Sequence, residues 1–90
     1  MREAELVIDI GSRFTTVCSR GAGVIIREPS VVAISNRGGK MALLEAGRSA
    51  EKLSNVRQAD FQILYPIKEG AIFHERAAAL MYRYFIAKAV

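Results

Sequence analysis

Leu6-Val7-Ile8-Asp9-Ile10-Gly11-Ser12 is the stretch on which the fold turns. A run of branched apolar residues that ends in a carboxylate, a glycine and a hydroxyl reads as a buried strand delivering a polar turn. Beyond the turn, Arg13-Phe14-Thr15-Thr16-Val17-Cys18-Ser19-Arg20 is rich in strand formers, and Gly21-Ala22-Gly23 supplies the next reversal. Gly23-Val24-Ile25-Ile26-Arg27 then returns as a third strand, so a hairpin is expected here. Pro29 interrupts because it lacks a backbone donor and favours an extended residue before it. Ser30-Val31-Val32-Ala33-Ile34-Ser35 is a fourth strand, closed by the turn cluster Asn36-Arg37-Gly38-Gly39-Lys40. Residues 1–36 are therefore expected to form a β-meander that carries the Asp9–Ser12 turn.

The period changes in the second half. Met41-Ala42-Leu43-Leu44 reads as a short strand, Gly47 as a break, and Arg48–Leu53 as a short helix ending at Ser54-Asn55. Phe61–Tyr65 alternates and is bounded by Pro66, an edge strand or loop, and Lys68-Glu69-Gly70 is a turn. From Glu75 to Val90, residues Ala77, Leu80, Met81, Tyr84, Phe85 and Lys88 keep a helical rhythm, with Glu75 and Lys88 placed to complement the helix dipole. Residues 37–74 thus read as a small insertion-type subdomain and 75–90 as a helix. The expected class is α+β, with a mixed sheet of about five strands, one long C-terminal helix and one short helix.

Composition narrows the functions available. Ninety residues, 51% of them hydrophobic and 24% charged, make one globular unit with a thin stability margin. One cysteine, Cys18, excludes an internal disulfide, and Cys18 with the single His74 cannot build a Cys/His zinc site. No apolar run approaches the roughly 18 residues of a membrane helix, and Met1-Arg2-Glu3-Ala4-Glu5 lacks a signal-peptide apolar region. A cytoplasmic protein is expected. The 13 basic and 9 acidic residues give a net of +4, but the positive charges are spread evenly. A nucleic-acid footprint is therefore not expected.

Asp9-Ile10-Gly11-Ser12 with Thr15 is the chemically suggestive group. Gly11 allows a backbone to approach an anion, and Ser12 with neighbouring N–H groups can donate to a phosphate. Asp9 would hold a Mg²⁺ ion or its waters, because that hard cation prefers oxygen ligands. The bland alternative is a hairpin turn in which Asp9 caps its own backbone and nothing binds. His74 reads as a general base or a helix-cap partner, Cys18 as an inert core thiol, and Glu28-Pro29-Ser30 as a rigid corner.

Read end to end, Ile8-Asp9-Ile10-Gly11-Ser12, Gly23-Val24-Ile25-Ile26-Arg27-Glu28-Pro29-Ser30-Val31-Val32-Ala33-Ile34, Ala46–Leu53, Tyr65-Pro66-Ile67-Lys68-Glu69-Gly70-Ala71-Ile72 and Met81–Ile86 resemble the opening of the bacterial actin homologues of the MreB type, the rod-shape-determining proteins. The resemblance implies the N-terminal part of the first lobe of an actin/heat-shock-chaperone ATPase-like, ribonuclease H-like fold. It makes Asp9-Ile10-Gly11-Ser12 the first phosphate loop, with Asp9, Gly11, Ser12 and Thr15 as cofactor-binding residues and Asp9 as the metal residue. Two departures stand out. Arg13 and Phe14 replace small or amide-bearing residues after the glycine, and His74 stands where the family places an aspartate.

Length is the larger departure, since relatives are several times longer and close their nucleotide between two lobes. A second phosphate loop, an adenosine segment and an opposite lobe are not in this sequence. The expectation is a cytoskeletal, cell-shape protein fragment that acts as a non-catalytic interaction or self-assembly module, requires no cofactor and is not an ATPase by itself. Its expected partners are further copies of itself or a full-length actin-like filament protein. The alternative is a degenerate remnant that binds ATP–Mg²⁺ weakly through residues 9–15.

Overall fold

Alternation in Leu6–Ile10 sends Leu6, Ile8 and Ile10 toward the core and leaves Val7 and Asp9 exposed, which makes this segment strand β1. The computed structural model describes residues 5–56 and 61–90. The expected start at Met1-Arg2-Glu3-Ala4 and positions 57–60 of the second subdomain lie outside the described residues. After β1 come β2 (Phe14–Ser19), β3 (Gly23–Pro29), β4 (Val32–Ser35), a single 3₁₀ turn (Arg37–Gly39), β5 (Ala42–Ala46), α1 (Arg48–Leu53), β6 (Gln62–Leu64), β7 (Ile67–Lys68), β8 (Ala71–Ile72) and α2 (Glu75–Ala89).

The meander stops one strand early. Strands β1, β2 and β3 form one antiparallel sheet, but β4 leaves it to lie between β5 and β6 in a second. Strands β7 and β8 make a separate hairpin. Among the described residues the expected five strands are eight short ones in three sheets, each of these pairings antiparallel. The cause is at Pro29-Ser30-Val31. Pro29 cannot donate, Ser30 N–H makes the last bond to the β2 side at Arg13 O (2.9 Å), and Val31 N–H closes back on Pro29 O at 3.0 Å, so the chain turns out of the first sheet.

Strand β4 is covered on both faces, as its unbroken apolar run requires. Val32 and Ile34 enter the main core, while Val31 and Ala33 enter a second cluster with Ala50 of α1. Helix α2 closes the main core with Ala77, Ala78, Met81 and Phe85, packing on the side where Leu6, Ile8, Ile10, Val17 and Ile26 gather. Burial of Met81 and Phe85 is complete or nearly so, and side chains of this size contribute roughly 2–3 kcal/mol each when fully buried. The opposite face of the β1-β2-β3 sheet carries Val7, Asp9, Thr16 and Cys18. Cys18 is half-buried there, across from exposed Val7, and is not a member of either core cluster.

Candidate functional site

The turn between β1 and β2 is fixed by its own backbone. Gly11 N–H donates to Phe14 O at 2.9 Å. A Cβ on Gly11 would sit 3.0 Å from that same oxygen, so any larger residue would push the turn open. Ser12 reaches across 58 positions of sequence, its Oγ accepting from Gly70 N–H at 2.8 Å. That bond pins the turn to the β7–β8 hairpin. It uses a lone pair of the Ser12 hydroxyl and leaves the hydroxyl proton available for an acceptor.

Strand pairing separates the four residues singled out from sequence. Asp9 lies opposite Thr16 on the exposed face, whereas Thr15 lies opposite Ile10 and shares the core-facing side. Thr15 is 1% exposed, and its Oγ1 is 2.8 Å from Ser30 Oγ in a buried hydroxyl pair. Gly11 and Ser12 therefore sit together at the tip, Asp9 stands one residue back on the outer face, and Thr15 is turned inward. Thr15 Oγ1 and Ser30 Oγ satisfy each other, which is what burial of two hydroxyls demands.

The two bulky replacements after the glycine also have defined places. Phe14 lies on the outer face with its ring 4.5 Å beneath the Arg27 guanidinium, a cation–π contact. Arg13 is exposed. Ser12, Arg13 and Phe14, with Pro29, Glu51 and Tyr65, line a recess of about 200 Å³. This rim offers two hydroxyls, those of Ser12 and Tyr65, one guanidinium, one carboxylate and two aromatic rings. Among the described residues there is no group of three or more His, Cys, Asp or Glu side chains able to hold a metal ion together.

Two residues that matter most for the frame were not singled out as such from the sequence. Glu28 Oε1 accepts from Arg48 N–H at 2.9 Å, and its Oε2 pairs with Lys88 Nζ. Arg48 Nη2 in turn donates to Arg27 O at 3.1 Å. One carboxylate thus ties β3 to the start of α1 and the end of α2. Burial pushes the Glu28 carboxyl up, but the hydrogen bonds from Lys88 and Arg48 and their charges outweigh it and hold the group below 4.5. The Glu28 hydrogen bond raises Lys88 above 10.5, against a smaller desolvation effect. His74 is the helix cap, its Nδ1 accepting from Ala77 N–H at 3.2 Å. Of the two roles expected for it, the geometry places it in the cap.

Fold and turn together define the class: part of the first lobe of an actin-like fold, with its strands in short sheets and one long helix closing the core. The MreB/Mbl protein family matches residues 3–90, and the chain belongs to that family. It is 31% identical over 84 residues to the cell shape-determining protein Mbl of Bacillus cereus, covering 93% of this chain and 25% of that protein. It is 33% identical over 84 residues to the cell shape-determining protein MreB of Pasteurella multocida, covering 91% of this chain and 24% of that one. MreB5 of Spiroplasma citri bound to ADP superposes with a TM-score of 0.80 at 23% identity, over 93% of this chain and 25% of that one. The same protein bound to AMPPNP gives 0.81 at 22% identity, over 98% and 26%. The chain spans about a quarter of the length of the relatives it matches.

Proposed function

We propose that this chain works as an MreB-type cytoskeletal interaction module, assembling with copies of itself or with a longer filament-forming relative, without turning over ATP by itself. The observation that carries this reading is the division of the turn. Asp9 and Thr15 lie on opposite faces of the hairpin, so they do not converge on one phosphate group. Hydrolysis needs donors fixed around the transferring phosphate and a positioned water, and of the four residues singled out in this turn the described structure brings only Gly11 and Ser12 together at its tip. Cell-shape work in the cytoplasm is the setting that kinship with Mbl and MreB supports. No described helix is long and apolar enough to cross a membrane.

A second reading has its own observation. The Ser12 hydroxyl proton is free at a tight glycine turn, and the Spiroplasma relative carries ADP or AMPPNP. Weak ATP–Mg²⁺ binding would then use Ser12 and the Gly11 region for phosphate, with Asp9 holding the waters of the metal. Thr15 would take part only by breaking its bond to Ser30.

Phosphate release and the thermal midpoint, each measured with and without ATP and Mg²⁺, separate the readings. No turnover and no shift supports the interaction module. A saturable upward shift without turnover supports the remnant, since a ligand that prefers the folded state stabilises it by mass action. Phosphate release lost in Asp9→Asn would overturn both.

A further inference from the structure

We draw no further inference here: the strongest candidate, the recess of about 200 Å³ beside the β1–β2 turn lined by Ser12, Arg13, Glu51 and Tyr65, belongs to the site already described.

Discussion

Glu28 and Lys88, 60 residues apart in sequence, form an ion pair that fastens the last turn of α2 to the end of β3. The Glu28 side chain is 13% exposed and the Lys88 side chain 48%. The pair is therefore one-sided: the carboxylate is mostly enclosed and depends on its donors, while the ammonium keeps water. Removing the enclosed member strands a second group as well, because Arg48 N–H also relies on Glu28. Glu28→Ala is expected to cost about 1–3 kcal/mol, the loss of a charged acceptor and an unmade backbone bond. Lys88→Met is expected to cost less, about 1 kcal/mol, since half of the ammonium is solvated. At roughly 4–8 °C of midpoint per kcal/mol for a domain of this size, thermal unfolding resolves the two.

The same pair sets a pH dependence at both extremes. Glu28 is held below 4.5 in the folded protein, so its contribution is present above that value and is lost as pH falls through the lower folded value. Lys88 is raised above 10.5, so its contribution is complete below 10.5 and is lost as pH climbs through the higher folded value. Urea midpoints taken between neutral pH and acid are expected to fall less in Glu28→Gln than in the natural chain, because the variant has no carboxyl there to protonate.

Gly47 stands against Glu28 with φ of +68°. A Cβ there would collide with the Glu28 carboxylate, on top of the backbone strain. Gly47→Ala is expected to destabilise by about 2–3 kcal/mol. In a Glu28→Ala background the carboxylate collision is gone, leaving a tight 3.1 Å contact with the residue 28 Cβ and the strain of the positive-φ backbone, about 1–2 kcal/mol together. A double-mutant cycle by chemical denaturation measures that difference, and simple additivity would contradict the contact.

His74 caps α2 through a ring nitrogen, where Asp or Asn is the commoner choice. His74→Ala is expected to cost about 1 kcal/mol. His74→Asp is expected to restore the cap and to gain from its negative charge at the helix N-terminus. Denaturation of the three proteins at neutral pH ranks them, and an alanine variant as stable as the natural chain would remove the cap from the account.

Thr15→Val is expected to act on stability and not on nucleotide. It leaves Ser30 Oγ buried without its partner, at a cost of about 1–3 kcal/mol, whereas Thr15→Val with Ser30→Ala removes both polar groups and is expected to recover most of that loss. A loss of ATP affinity in the double variant, with stability intact, would return Thr15 to the phosphate loop.

Much of this architecture is legible in local sequence. The alternation of Leu6–Ile10, the doubly covered run Val31–Ile34, the short helix Arg48–Leu53 and the helical rhythm from Glu75 all report packing that depends on near neighbours. What is not legible depends on partners far along the chain. Nothing local says that β4 must leave the first sheet, since its two faces are filled by α1 and α2 together. The β7–β8 hairpin is two residues per strand, too short for periodicity to show. Lys88 reads from sequence as a dipole partner, and only the fold brings Glu28 to it. In the candidate site, the tip Gly11-Ser12 is visible as a motif. The inward turn of Thr15 follows from its register with Ile10, which motif spacing does not encode.

The solution mass of the natural chain, measured by light scattering with and without ATP and Mg²⁺, tests the central claim most directly. An interaction module of this kind is expected to be a dimer or larger without nucleotide, and to keep that mass when nucleotide is added. A clean monomer that changes mass only in the presence of ATP and Mg²⁺ would contradict it.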